Sequence, residues 1–434
     1  MTAVAVERVQ DLTASVLQDL LRLSLESPSL KVTSVRDPEE LSDINVNLGS
    51  DLRKLVVTVE EDGASRDLYL VAKSALQSWA SWGNVWFNLY IFYREAFWFS
   101  TAFGELGKLV SKEQAAGLLE VVPKVHLAYC NYLKEDMASC FIRKPKEKGV
   151  ILMENLKEGG RDRFVDLKMI ERTSGGGVKT AHMEMLLKGL AHFHGAWNVW
   201  LRKGDGLGHL SKHQVMDFLK QQGAYQYKWM WKMIIKRLMN KYVLLAEAKK
   251  EQDTKERMET FRNSPETADK FMKAFDYKDS NFKTVCHSDL HSAQIMFALN
   301  DDGETTLTNS CFLILSLFLA GTPKRVKILD YQGLTLGHPA MDIWTIVYSA
   351  TDAEYRSEHL ENDLKAYYEV FSTYMDTTVD YAEFRKEVEE RRIYGLVMFG
   401  EFKQCFPAAR SIIYPSGNMQ SFFDWFHLQA ISAS

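Results

Sequence analysis

Proline is scarce in this chain, nine residues in 434, and no long polar low-complexity tract occurs. Extensive disorder and collagen-like repeats are therefore excluded. Cysteine is sparse too. The five residues, Cys130, Cys140, Cys286, Cys311 and Cys405, are odd in number and scattered, with no CxxC pair and no metal-ligand spacing. That excludes a disulfide framework and points to reduced thiols in the cytoplasm. There is no excess of basic charge: 53 Lys and Arg face 57 Asp and Glu, a net charge of -4. A nucleic-acid partner is not expected from such a balance. The most apolar run, residues 311–320 (CFLILSLFLA), falls far short of the roughly 20 residues a membrane span needs. The start, MTAVAVERVQDL, carries charges early and lacks an apolar signal core. No transmembrane segment is expected. GxSxG, HExxH and Walker A patterns are missing as well, so hydrolase, zinc-protease and P-loop chemistry find no support.

What is present is an ordinary globular balance, 46% hydrophobic and 25% charged, in a chain too long for one small core. Residues 6–24 carry apolar positions at helical spacing. Short strand-like runs follow at 30–35 and 44–48. A hairpin is expected from 52–60 and 66–72, joined through Glu61-Asp62-Gly63-Ala64, since Asp-Gly favours a tight turn. A helix is expected over 84–104, capped by Asn84, and two strands over 124–131 and 148–153. Between them lies a basic loop, Arg143 to Lys148, which reads as a solvated hairpin tip. Beyond Leu156 helices dominate, at about 178–202, 212–249, 252–276, 355–375 and 380–404, interrupted by a β-like patch at 285–297 and 326–329. The expected organisation is a strand-rich part, 1–155, and a mainly helical part, 156–434.

Three segments combine acids with apolar runs that anchor them to buried elements. They are Val285-Cys286-His287-Ser288-Asp289-Leu290-His291-Ser292-Ala293-Gln294, then Val326-Lys327-Ile328-Leu329-Asp330-Tyr331-Gln332, then Gly337-His338-Pro339-Ala340-Met341-Asp342. Carboxylates placed so close to a core are costly unless paired, protonated or metal-bound. Singly, each acid reads as a cap or turn residue. His182, His192 and His194 share one expected helix, but His192 and His194 lie two apart and face different sides, so a zinc site is not expected. Trp79, Trp82, Trp86 and Trp98, with Phe87, Phe92, Phe97 and Phe99, read as core or as contact with a lipophilic ligand. Ser174-Gly175-Gly176-Gly177 reads as a flexible loop, since no strand leads into it.

In this order, behind a strand-rich part, the three segments resemble the catalytic loop, metal-binding motif and following helix start of the aminoglycoside-phosphotransferase and choline-kinase superfamily. Within it the chain looks like a member of the ecdysteroid-kinase-like, or CHK kinase-like, family. The resemblance spans most of the chain. It implies a protein-kinase-like α+β fold with a sheet-containing N-lobe and a mainly helical C-lobe. It also implies transfer of the γ-phosphate of ATP, with Mg²⁺, to a hydroxyl of a small molecule such as a steroid or hydroxylated xenobiotic. The HxD-plus-Asn loop matches His287, Asp289 and Gln294, and the strand-ending metal aspartate matches Asp330. Gly337, Pro339 and Asp342 match the later GxPxxD segment. Lys73, ending Leu68-Tyr69-Leu70-Val71-Ala72-Lys73, looks like the ATP-binding lysine, and Glu95 like its helix partner. Glu154 stands where the chain crosses between lobes. The helix over 185–194 matches a recurring family helix, and Trp197, Trp200, Trp229 and Trp231 fall on helices that line the acceptor side in this fold.

The physics of those roles is simple. Phosphoryl transfer is mainly positioning and charge neutralisation. Asp289 would orient the acceptor hydroxyl and take its proton, with His287 propping the loop and Asp342 bracing it. Asp330 and Gln294 would hold the metal through oxygen. Lys73 would grip phosphate, held by Glu95. In place of a glycine-rich loop there is only Asn47-Leu48-Gly49-Ser50, whose amides and Ser50 would approach the phosphates. Two departures stand out. Gln294 replaces the family Asn with an arm one methylene longer, and Ser288 replaces a small Gly. They support a second reading, a pseudokinase that binds nucleotide or a lipophilic ligand without turnover. The stretch between Phe297 and Val326 is also long. Without roughly fifteen residues, about 307–321, it would close as a compact turn between strands. That excess is expected to be a gene-model or splicing artefact; a real insert would pack over the active site or onto a partner.

Overall fold

A computed structural model describes residues 6–40, 50–75, 91–131, 148–158, 164–167, 180–220, scattered positions between 236 and 250, 252–264, 266–300, 322–376 and 379–398. Outside these lie the expected 44–48 strand, most of the phosphate-cover segment, Asn84, Trp79, Trp82, Trp86, Phe87 and nearly all of the basic loop. So do Ser174 to Gly177, Trp229, Trp231 and the excess at 307–321. The described strands are β1 (Lys31–Val35), β2 (Glu39–Glu40), β3 (Ser50–Glu61), β4 (Ala64–Ala75), β5 (Val125–Asn131), β6 (Lys148–Glu154) and β7 (Phe164–Asp166). They continue as β8 (Gly206–Leu207), β9 (Leu210–Ser211), β10 (Thr284–Cys286), β11 (Ile295–Leu299), β12 (Pro323–Ile328) and β13 (Thr335–Gly337). The class is α+β. Contacts divide the chain into two compact units. The first comprises Met1–Ser174, Asp205–Ser211 and Ala293–Gly333; the second comprises Gly175–Gly204, Lys212–Ser292 and Leu334–Ser434. The first thus runs past the boundary expected at 155/156 to Ser174 and also takes in Asp205–Ser211 and Ala293–Gly333.

The first unit is built on an antiparallel sheet in the order β1-β3-β4-β6-β5, with β2 paired to β3. The long hairpin β3–β4 turns at Asp62 (φ +50°) and Gly63 (φ +81°), the two left-handed positions that a two-residue hairpin turn needs. Alternation then sorts the strands. Leu55, Val57 and Val59 on β3, Leu70 and Ala72 on β4, and Val150 and Leu152 on β6 share one face. They pack against Leu17 and Leu21 of the helix Ala14–Ser24. Each such side chain contributes about 1.5–3 kcal/mol by leaving water. The expected helix over 6–24 is in fact two elements, a 3₁₀ turn Val9–Asp11 and a helix begun at Thr13, whose hydroxyl caps Val16 N–H. Thr is a good cap and a poor helix-interior residue, so the break falls there.

The opposite face of the sheet receives the helix Ile91–Phe97, through Phe92 and Ala96 against Ala75 and Ile151. That helix continues as a π stretch, Trp98–Ala102, and an α stretch, Phe103–Leu109. A second, three-stranded sheet runs β12-β11-β7.

The second unit is mainly helical. Thr180–Lys203 packs along Ala353–Ser372, and Ala340–Ala350 is buried along its whole length. The helix expected over 252–276 is two, Gln252–Asn263 and Thr267–Lys273, because Pro265 cannot supply an N–H to a continuing ladder. The helix expected over 380–404 likewise breaks after Glu390, and a short helix Ile393–Met398 follows. Trp197 and Trp200 are fully buried and meet edge to face at 5.5 Å, a core pairing. β7 and β13, three residues each, were not expected; so short a run carries no readable period.

Candidate functional site

Lys73 and Glu95 come together because two periodicities agree. On β4 the even residues Leu70 and Ala72 face the helix Ala14–Ser24, so odd-numbered Lys73 faces the other way, beside its cross-strand partner Ile151. On Ile91–Phe97, Glu95 lies three residues after Phe92, on the side that meets that face. Lys73 Nζ stands 2.5 Å from Glu95 Oε2 and 2.7 Å from Asp330 Oδ1. Lys73 is 7% exposed and Glu95 1%. Burying such charges is costly, and breaking the pair would leave one uncompensated. Burial pulls Lys73 down, but Asp330 and Glu95 outweigh it and hold the ammonium charged well above its ordinary range. Burial likewise pushes Glu95 up to about 7, against the pull of Lys73.

Asp330 follows β12 in a left-handed conformation, φ +65°. A non-glycine residue holds that conformation only when its surroundings fix it. Before it, Leu329 N–H donates to Gln294 carbonyl at 2.8 Å. After it, Tyr331 is fully buried, with ring centroids 5.7 Å from Phe99 and 4.9 Å from Phe103. The Tyr331 backbone also bonds Glu95. Asp330 Oδ2 accepts two carboxamide bonds, from Gln294 Nε2 at 3.1 Å and from Gln332 Nε2 at 3.0 Å. Its side chain keeps 26% of its surface open. A carboxylate beside two amides, each able to present oxygen instead of nitrogen, suits a hard cation. Gln332 was not singled out by the sequence, although it lies two residues from Asp330.

The other residues expected to meet nucleotide are placed elsewhere in the first unit. Ser50 opens β3, buried opposite Ala75. Glu154 ends β6, where its Oε1 accepts Lys124 N–H at 2.8 Å and lies 3.8 Å from Lys327 Nζ.

His287 and Asp289 belong to the second unit. β10 pairs with β13, and Gly337 permits the close approach: a Cβ there would meet Met341 Sδ at 2.6 Å and Cys286 Sγ at 3.0 Å. The loop then turns at Ser288, φ +67°. That is the position where the family's Gly would sit without strain. Asp342 is wholly buried and grips the loop by its backbone: Oδ2 accepts His287 N–H at 2.5 Å and Oδ1 accepts Ser288 N–H at 2.9 Å. His194 Nε2 lies 3.0 Å from Asp342 Oδ2, and its Nδ1 lies 2.8 Å from the Tyr367 hydroxyl. His287 is fully buried, while Asp289 is half-buried. His194, Cys286 and Asp342 are near enough to ligate an ion. Asp342 is already engaged by two amides and an imidazole, and Cys286 Sγ bonds the His338 carbonyl at 3.2 Å, so hydrogen bonding accounts for the cluster. His338 supports the neighbouring helix: its Nδ1 accepts Ala340 N–H at 3.1 Å, and burial pushes it down to about 4.

Among the described residues no helix is long and apolar enough to cross a membrane. The sequence profile of the ecdysteroid kinase-like family matches residues 46–378, well over half of the chain. No curated protein matches it by sequence. Solved structures similar to it include the GDP complex of wild-type aminoglycoside 2'-phosphotransferase-IIIa. It is 10% identical, with 89% of this chain and 90% of that one covered, at a TM-score of 0.33. Another is choline kinase LicA from Streptococcus pneumoniae, at 11% identity, 88% and 89% coverage and a TM-score of 0.31. A third is a microcompartment-associated aminopropanol kinase, at 12% identity, 89% coverage of each chain and a TM-score of 0.30.

Proposed function

The chain belongs to the ecdysteroid kinase-like family, and from that premise we propose that it transfers the γ-phosphoryl group of ATP to a hydroxyl of a small molecule. The acceptor class is a steroid of the ecdysteroid kind or a hydroxylated xenobiotic. The observation that carries the reading is the buried Lys73 held between Glu95 and Asp330. Lys73 grips phosphate oxygens while Glu95 fixes its position. Ser50 approaches the phosphates, and the chain at Glu154 meets the base. Asp330 and Gln294 hold Mg²⁺, which when bound neutralises phosphate charge. Asp289 orients the acceptor hydroxyl and takes its proton, on a loop whose backbone Asp342 fixes. Scattered cysteines and the proposed use of ATP support a cytoplasmic setting.

The test is incubation with Mg-ATP and a metabolite extract, followed by mass spectrometry for new phosphate monoesters, with Asp289→Ala as control. A product that requires Asp289 supports the reading. ATP binding without product in any extract would sink it in favour of nucleotide binding without turnover.

A further inference from the structure

The first unit holds a cleft of about 680 Å³ that shares only Glu154 with the phosphotransfer reading. This lies within the range of small-molecule sites, about 300–1,000 Å³. Phe99, Phe103, Leu119, Val122, Leu156 and Phe164 form its apolar wall. Lys73, Glu95, Gln294 and Asp330 do not line it. Arg325 and Lys327 enter it from β12, two residues apart and so on one face of the strand. Their cross-strand partners are Ala298 and Met296, which pack with Leu156 and Phe164. Two cations therefore stand beside the apolar wall, in a lining that also holds Glu120, Lys124, Glu154 and Asn155.

Three cations, Lys124, Arg325 and Lys327, line the cleft against two carboxylates, Glu120 and Glu154, and this excess of positive charge favours an anion. Glu154 Oε1 is already bonded to Lys124 N–H and lies 3.8 Å from Lys327 Nζ. Lys327 Nζ donates to Val122 carbonyl at 2.7 Å and reaches Leu119 carbonyl at 3.5 Å. The Arg325 guanidinium lies 5.8 Å above the Phe164 ring. Leu119 is 55% exposed at the mouth, an open apolar rim beside the cations. Phe99 and Phe103 also pack on Tyr331, so a ligand here touches the residues that hold the turn after Asp330.

We propose that this cleft binds an anionic amphiphile, an acid with a long apolar body such as a fatty acid. Its acid group meets Arg325 and Lys327, and its tail lies along Phe99, Phe103 and Leu119. Fixed cations set orientation and head-group choice, while the apolar wall supplies most of the affinity.

The test is calorimetric titration of the full chain with decanoate, decanol and decyltrimethylammonium, three heads on one tail. Decanoate is expected to bind saturably and about tenfold more tightly than the other two, a head-group difference of about 1.4 kcal/mol. Arg325→Glu should weaken decanoate at least tenfold. Ala116→Trp, at an exposed helix position in the mouth, should abolish binding while circular dichroism stays unchanged. No decanoate binding, equal binding of the three heads, indifference to both substitutions, or displacement by Mg-ADP would each overturn the proposal. The titration needs no nucleotide. Asp289→Ala should leave decanoate binding intact, so failure of the phosphotransfer reading and failure of this one are distinguishable.

Discussion

Asp330 and Asp342 are both carboxylates beside a short strand, yet they are held in opposite ways. Asp330 is gripped by side chains, one ammonium and two carboxamides, and keeps a quarter of its surface open. Asp342 is sealed and gripped by backbone N–H groups and an imidazole. Long side chains can swing away and let a carboxylate take a new partner; backbone amides cannot. The first arrangement leaves an acid available for chemistry, and the second turns an acid into a brace. Their pairing partners, more than their exposure, separate the two roles.

The largest test of that contrast is Asp330→Ala. Phosphotransfer should fall about a thousandfold or more, some 4 kcal/mol of barrier, with a smaller loss of thermal stability than Asp342→Ala causes. Release of ADP, followed continuously, measures the first, and a thermal melt the second. Asp342→Ala should invert the pattern. It strands two buried N–H groups and an imidazole, and should cost about 3 kcal/mol of stability in urea denaturation. If Asp342→Ala instead leaves stability intact and removes only turnover, the brace assignment fails.

Acid should strain the second arrangement in turn. His338 titrates at about 4 in the folded chain against an ordinary 6.5. Its depressed value contributes stability above 6.5, which is lost as pH falls from 6.5 towards 4, by up to about 1.4 kcal/mol per unit. The cause is burial first, and protonation would also remove the acceptor that caps Ala340 N–H. The denaturation midpoint of His338→Gln should therefore fall less steeply with acid than that of the parent. An identical slope would remove His338 from the account. The smallest expected effect is Gln294→Asn. A shorter amide should raise turnover about threefold at limiting Mg²⁺ and leave it unchanged at saturation. No rise at any Mg²⁺ level would mean that the longer arm reaches the metal equally well.

Much of the frame was legible because its signals are local. Alternation and Asp62-Gly63 specified the β3–β4 hairpin, and the aspartates were singled out through a family resemblance. What was not legible is mostly long-range. Lys327 looks like a solvated strand lysine until the end of the helix Lys112–Val121 is found beside it. Gln332 and His338 matter through partners that folding supplies. The π stretch at Trp98–Ala102 reads as continuous helix, because the helical period there is nearly unbroken and only backbone hydrogen bonding tells the difference. The break between Asn263 and Thr267 did carry a local signal, the intervening proline.

The first unit is discontinuous in the chain, and this has a consequence for birth on the ribosome. Lys73 and Asp330 are separated by 257 positions. The sheet bearing Lys73 and the helix bearing Glu95 are made long before β11, β12 and the Asp330 turn emerge. Until then Tyr331 cannot fill the space beside Phe99 and Phe103, and strand β7 has no partner. The nascent N-terminal part must wait, incompletely packed, for about half of the second unit to be synthesised. Any product truncated before residue 293 inherits that unfinished state. Quality control would meet it as an open sheet and a bare aromatic patch, well before it could test any chemistry.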